Sequence, residues 1–364
     1  MINITVNASK KYDVLMEHGA LSQAGQHICN VSGDADRKIC IITDTTVSEL
    51  YGQKTQPLWQ SLEGAGFEVY EYVFNGGETD KNMSTVVDIL EYLAKEGFTR
   101  TDLLLALGGG VIGDIAGFTA ATYLRGVEFI QVPTTLLAIV DSSVGGKTGV
   151  NLSSGKNLAG AFWQPSLVIF DPEVLATLDS ALKLDGLAEI IKAGFIDAPK
   201  IFALIDNRRV SLDDHDFLTK LAAMAVEVKR KIVEEDERES GNRQLLNLGH
   251  TAAHAIEKLS SYSISHGHAV AMGMAIITAA AKSYGWCDDK CPDLMLDTLS
   301  AFGLPLKCTY SAAELTSAAL HDKKRRGDHI TLVIPKAAGS CSLKTIAVDQ
   351  LEEVFDRGLE VLNK

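Results

Sequence analysis

The 364-residue chain is poor in the features that mark several protein classes. Its longest apolar run in the C-terminal half, Ala269–Ala281, is too short for a bilayer, which needs about 20 residues. The opening residues, MINITVNASKKYDV, hold no apolar signal core, so a soluble, cytoplasmic protein is expected. No basic surplus exists: 34 Lys and Arg against 47 Asp and Glu give a net charge of −13. That balance argues against nucleic acid or an anionic membrane as partner, but not against an anionic small molecule in a focused basic cleft. The six cysteines form no paired CxxC array. Cys287-x-x-x-Cys291 reads as two ordinary thiols, in keeping with a reducing compartment. There is no internal repeat and no low-complexity segment. With 46% hydrophobic and 22% charged residues, the composition is that of a globular protein of one or two domains.

What is present centres on Thr101–Phe118, TDLLLALGGGVIGDIAGF. Leu103–Leu107 is a short apolar run, as expected of a parallel strand buried on both faces. Gly108, Gly109 and Gly110 then allow a sharp turn and close approach of bare backbone to a ligand. The helix that follows points its N-terminal N–H groups at the turn, which suits a phosphate. Gly108-x-Gly110-x-x-Gly113 matches the dinucleotide fingerprint, yet that fingerprint wants an acidic residue closing the next strand, and Glu128 opens it instead. Alone, the stretch fits a tight turn as well as a nucleotide cradle. Its surroundings favour the cradle. Lys38–Thr43 is a strand ending at Asp44, where N-capping is the default role, and Phe67–Phe74 ends at Asn75-Gly76-Gly77-Glu78-Thr79-Asp80-Lys81. With helices over Glu49–Glu63 and Met83–Lys95, the order is that of a doubly wound, mostly parallel Rossmann-like sheet. Asp44, Glu78, Lys81 and the glycines all fall at carboxyl ends of strands, where such sheets bind ligands. Residues 129–172 have strand-like ends around a polar, glycine-rich middle, expected as an irregular binding loop.

After Pro172 the periodicity turns helical, with helices expected over Leu182–Phe195, Leu212–Glu237, Gln244–Leu259, Ala269–Tyr284, Asp293–Phe302, Ala312–Leu320 and Val348–Leu362. A strand pair, ITLVIP and SCSLKTI, precedes the last. The expected organisation is an α/β domain over 1–175 and a mostly helical domain over 176–364, with the active site in the cleft between them. Three places in the helical half carry chemistry. Glu189 and Lys192 share a helix face amid apolar neighbours. On the helix expected there, Asn247, His250 and His254 form one polar stripe that Arg243 extends; two histidines four apart can bind one metal, or can be hydrogen-bonded core residues. His266 and His268 flank Gly267 at a helix start. One Glu and two His would make an open, three-ligand zinc site.

These residues carry a resemblance to the 3-dehydroquinate synthases of the sugar-phosphate cyclase superfamily. The matching segments, in order, are GGETDK, LALGGGVIGDIAGFTAATYLRGV, VPTTLLAIVDSSVGGKTGVN, GKNLAGAFWQP, GLAEIIKAG, DERESGNRQLLNLGHTAAHAIE, SHGHAVAMGM and DKKRRG. The resemblance implies a homodimer using NAD and one zinc or cobalt ion. Its substrate would be 3-deoxy-D-arabino-heptulosonate 7-phosphate and its products 3-dehydroquinate and phosphate. The route it implies is transient oxidation of the C5 hydroxyl, phosphate elimination, re-reduction, ring opening and aldol closure. By position, the resemblance implies Glu189, His250 and His266 as metal ligands. It implies NAD contacts at Asp44, Glu78, Lys81, Gly109, Gly110, Val111, Asp114, Thr134, Thr135, Lys156 and Thr177. Substrate contacts fall at Asp141, Lys147, Asn157, Lys192, Lys229, Arg243, Asn247, His254 and Lys323, and Arg125 matches an arginine reaching the neighbour's site. Arg243 and Lys229 suit a carboxylate, Arg through its bidentate fork; Lys147, Asn157, His254, Lys323 and Arg125 suit a phosphate. The chain departs from the family at His268, where Glu is usual, and at Ala253, Asn75 and Asn242. The competing readings are a sister cyclase of the 2-deoxy-scyllo-inosose or valiolone type, a metal-dependent polyol dehydrogenase, and a catalytically silent NAD-binding protein.

Overall fold

The computed structural model describes residues 1–33, 36–206, 211–320 and 328–363. Strands β1 (Ile2–Asn7) and β2 (Lys11–Met16) open the chain, followed by α1 (Ala24–Ser32), β3 (Lys38–Asp44), the short α2 (Thr45–Val47), α3 (Pro57–Ala65), β4 (Glu68–Phe74) and α4 (Met83–Lys95). Next come β5 (Leu103–Gly108), α5 (Gly110–Thr122), β6 (Glu128–Pro133), β7 (Lys147–Leu152), β8 (Gly155–Phe162) and β9 (Leu167–Phe170). The remainder is α6 (Ser180–Ile196), α7 (Lys200–Asp206), α8 (His215–Glu235), α9 (His250–Leu259), α10 (His266–Ser283), α11 (Cys291–Ala301), α12 (Ala312–Leu320), β10 (His329–Ala337), β11 (Ser340–Ala347) and α13 (Leu351–Leu362).

Two compact units form: Met1–Asp179 with Leu212–Arg238, and Ser180–Ser211 with Glu239–Lys364. The division is not a single cut, because α8 returns to the first unit. Polar bonds hold it there. Glu234 accepts from the Asn7 N–H at 2.7 Å, and Glu237, just past the helix, accepts from Ser9 Oγ at 2.6 Å and Gln164 Nε2 at 2.7 Å.

The first unit is built on a seven-stranded sheet in the order β1-β2-β9-β6-β5-β3-β4, parallel except for the β1–β2 pair. Central β5 is buried throughout. Leu104 and Ala106 join the cluster with Ile89 of α4 and Ile115 of α5, while the alternate residues Leu103, Leu105 and Leu107 are equally buried on the other face. Chain order reverses between β3 and β5: from β3 the chain goes outward to β4, then back across to β5. Ile42 pairs with Ala106, so Asp44 and Gly108, each two residues on, end adjacent strands at this switch point, where such sheets place ligands.

Two expected elements differ. The helix expected over 49–63 is broken into a wide turn over Ser48–Gly52, directly after α2, and α3, which starts at Pro57, a residue fit for a first helical turn but not an interior. The loop expected inside 129–172 contains the antiparallel hairpin β7–β8, in which Gly149 and Gly160 face each other so closely that backbone fills the space of side chains. No apolar alternation marks such strands.

In the second unit α10 is apolar on nearly every side and is packed by α6, α9, α11 and α13. The helix expected over 244–259 is corrected. A 3-10 turn covers Asn242–Asn247, and α9 starts only at His250, after Gly249 at φ +79°. Gly249 takes a left-handed conformation that a side chain would strain, so Arg243 and Asn247 do not lie on the same helix as His250 and His254. Among the described residues, no helix is long and apolar enough to cross a membrane.

Candidate active site

Glu189, His250 and His266 come together in the second unit, each offering a ligand atom within 4.8 Å of the others. They arrive from α6, α9 and α10. Glu189 and Lys192 are buried and ion-paired through Oε2. The other oxygen, Oε1, is buried and has no hydrogen-bond partner among the described residues. It faces His250 Nε2 at 3.7 Å and His266 Nε2 at 3.5 Å. Such an orphaned carboxylate oxygen costs stability unless a cation meets it.

The imidazoles are oriented for that role. His250 Nδ1 lies 3.1 Å from the Leu248 carbonyl, which can only accept, so Nδ1 carries the proton and Nε2 keeps its lone pair. Burial, then Lys192 and His266 nearby, hold His250 well below the usual imidazole range. His266 Nδ1 stands 3.5 Å from Glu257 Oε2. Burial alone would lower His266, but Glu189 and Glu257 push it up to about 10. The site therefore favours positive charge even without a metal. Glu257, buried on α9, was missed by sequence reasoning; its signal was an acidic residue three positions after His254.

The remaining residues of this unit are placed as follows. Arg243 is buried, with 1% exposure. Asn247 Nδ2 donates to Glu239 Oε1 at 2.7 Å, and Glu239, at φ +59°, is a second residue missed. The His254 ring packs edge-on to His250, with centroids 5.4 Å apart. Lys323 and its neighbour Lys324 lie outside the described residues.

In the first unit the expected cofactor residues form a connected network. Lys81 Nζ donates to Asp114 Oδ2 at 2.5 Å and to Asn157 Oδ1 at 2.7 Å. Asn151, also missed, links Glu78 Oε1 at 2.8 Å to the Asn157 N–H at 2.9 Å, and Lys156 stands 3.6 Å from Glu78. Burial pushes the Asp114 carboxyl up, and Lys81 opposes the rise. Asp44 Oδ1 accepts from the Val47 N–H at 2.8 Å, so the capping default is realised. Thr134 is buried, Thr135 Oγ1 caps the Ala138 N–H at 3.0 Å, and exposed Thr177 bonds Tyr51 at 2.6 Å. Lys229 of α8 holds Asp141 through both its carboxylate and its carbonyl. Lys147, exposed, opens β7; Arg125 is exposed in a turn at φ +67°.

The glycine turn suits an anion. Gly108 adopts φ +155°, and a Cβ there would lie 2.0 Å from Ile112 Cδ1. Gly109 caps α5 without a side chain, so the N–H groups of Gly110 and Val111 sit at a bare helix start.

Comparison with known proteins gives the family. The family profile "3-dehydroquinate synthase N-terminal" matches residues 71–184, and "3-dehydroquinate synthase C-terminal" matches residues 186–325. A 3-dehydroquinate synthase of Streptococcus pneumoniae (strain ATCC 700669 / Spain 23F-1) is 42% identical over 347 residues, covering 94% of this chain and 96% of that protein. Among solved structures, 2-epi-5-epi-valiolone synthase from Streptomyces hygroscopicus subsp. jinggangensis 5008, with NAD+ and Zn2+ bound, superposes with a TM-score of 0.88 at 25% identity, covering 99% of each chain. A 2-deoxy-scyllo-inosose synthase with carbaglucose-6-phosphate, NAD+ and Co2+ gives 0.84 at 25% identity, covering 98% of this chain and 100% of that one.

Proposed function

The chain belongs to the 3-dehydroquinate synthase family and is a carbocycle-forming lyase; from that premise we propose how its residues divide the work. The reaction converts 3-deoxy-D-arabino-heptulosonate 7-phosphate to 3-dehydroquinate and phosphate. The cofactors are NAD and one divalent ion, zinc or cobalt, as carried by the related cyclases. When bound, the metal supplies Lewis acidity to a substrate hydroxyl and NAD a reversible hydride acceptor.

Glu189, His250 and His266 would hold the metal. The observation that carries this reading is the buried Glu189 Oε1, which makes no hydrogen bond among the described residues and faces two imidazole Nε2 atoms. Lys192 neutralises the second oxygen of Glu189 and leaves the first for the cation. Glu257 backs His266 as a carboxylate behind a ligating imidazole does.

The Gly109, Gly110 and Val111 backbone would cradle the cofactor pyrophosphate. Asp44, at the switch point, would meet a ribose. Glu78, Lys81, Asp114, Thr134, Thr135, Lys156 and Thr177 would line the rest of the cofactor. Arg243 and Lys229 would bind the substrate carboxylate, with Asp141 holding Lys229 and Asn247 alongside Arg243. Lys147, Asn157 and Lys323 would bind the phosphate. His254 would move a proton near neutral pH. The protein would work in the cytoplasm as a homodimer, with Arg125 reaching the partner's site.

The sister cyclases fit less well. The curated relative is 42% identical, against 25% for the two cyclase structures, and the roles proposed for Arg243 and Lys229 call for a carboxylate. The test is phosphate release by NAD-loaded protein. Release should stop on chelation and return with zinc or cobalt, without net NADH. No release from metal-loaded protein contradicts the reading, and accumulating NADH points to a dehydrogenase.

A further inference from the structure

Asp185 lies one helical turn before Glu189 in α6 and is buried. Its Oδ1 accepts three bonds from the start of α10: Ser265 Oγ at 2.6 Å, the His268 main-chain N–H at 3.1 Å and His268 Nδ1 at 2.7 Å. Ser265 is the N-cap residue of α10, yet its hydroxyl caps no backbone N–H of that helix and instead lies 2.8 Å from His268 Nδ1. A carboxylate from another helix thus satisfies a first-turn N–H that the cap leaves open, and it places negative charge at the positive end of the helix. The two helices also touch here. A Cβ on Gly267 would lie 2.2 Å from Asp185 Cα and 2.4 Å from its carbonyl oxygen, so glycine alone permits the approach.

The residue between Ser265 and Gly267 is His266, and the residue one turn beyond Asp185 is Glu189. We propose that Asp185, Ser265 and His268 form a clamp that fixes the spacing of these two metal-ligating side chains, so that His268 acts as a positioning residue for metal affinity. The clamp gives His268 a task that does not compete with His266: its Nδ1 is engaged by Asp185. The proposal rests on the metal reading of Glu189, His250 and His266.

The test compares metal-free unsubstituted protein with His268→Ala, His268→Asn, Ser265→Ala and Asp185→Ala. Zinc affinity is read by competition with a chromophoric chelator, and ligand geometry by the visible absorption of the cobalt form. Asp185→Ala should bind zinc about 100-fold more weakly and His268→Ala about 10-fold more weakly, the range that outer partners of metal ligands command. Both should change the cobalt bands. His268→Asn, which returns an N–H near the Nδ1 position, should recover most of the affinity. Unsubstituted affinity and an unchanged cobalt spectrum in folded His268→Ala and Asp185→Ala overturn the clamp. If Asp185→Ala does not fold, His268→Ala and Ser265→Ala decide the matter. Failure of the unsubstituted protein to bind zinc overturns the metal reading and the clamp together, whereas equal binding by every variant removes only the clamp.

Discussion

In the first unit the charged groups assigned to the cofactor already engage one another: Lys81 reaches Asp114 and Asn157, and Glu78 is met by Asn151 and Lys156. In the second unit Glu189 keeps one buried oxygen without a hydrogen bond among the described residues, facing two imidazole nitrogens. The difference follows from what each would bind. A dinucleotide offers many donors and acceptors, so its site can rest as a closed network and exchange bonds one by one. A metal ion needs several lone pairs aimed at one point, and a protein can hold that arrangement only against the cost of an unsatisfied group.

The comparison can be broken by removing one member from each side. His250→Ala should weaken zinc binding by more than the about 100-fold expected of an outer partner, with little change in the thermal stability of the metal-free protein. Lys81→Met should do the reverse. It leaves Asp114 without its cation and should cost about 3 kcal/mol of stability, while zinc affinity stays put. Denaturant titration beside a zinc competition assay reads both. If Lys81→Met is neutral, the first-unit network is not holding the fold.

Smaller effects sharpen the same contrast. Arg243→Ala should lower kcat/KM for the carboxylated substrate by about 1.5–3 kcal/mol, the worth of a charge-assisted bond. Unchanged turnover refutes the carboxylate assignment. Gly108→Ala should cost about 1–3 kcal/mol from backbone strain and the meeting with Ile112, and weaken NAD binding in calorimetry.

The smallest effect is a pH dependence. Bonds from Ser9 and Gln164 outweigh burial and hold Glu237 below its ordinary 4.5. A depressed folded-state value means the unfolded chain takes up the proton first. The contribution is therefore complete above about 4.5 and is lost as pH falls through the folded value. Glu237→Gln should flatten the acid side of the stability profile and leave it unchanged at pH 7 and above, apart from a constant offset.

Much of the first unit was legible because buried parallel strands are written as apolar runs. The strand expected over Leu103–Leu107 occurs, one residue longer, as Leu103–Gly108, and the helix over Met83–Lys95 occurs as expected. The β7–β8 hairpin was not legible, since Gly149 and Gly160 replace side-chain packing with backbone contact. The second unit hid its break at Gly249, because Leu and His on either side continue a helical pattern that only the left-handed glycine interrupts. Spacing suggested a metal for His250 and His254; it was the resemblance that named His266 and Glu189, which lie far apart in sequence and meet only through the packing of α6, α9 and α10. Glu257 and Asp185 went unnoticed because an acidic residue on a helix is ordinarily solvated, and nothing local announces that its helix will turn it inward; Glu239 went unnoticed because it lies in an irregular bend after α8.

The most direct test of the account is phosphate release measured side by side on 3-deoxy-D-arabino-heptulosonate 7-phosphate and on a sugar phosphate without the carboxylate, with the protein loaded with NAD and zinc. Rapid release from the first alone, abolished by chelation, is the predicted result. Equal or preferred release from the uncarboxylated substrate, or none from either, contradicts it.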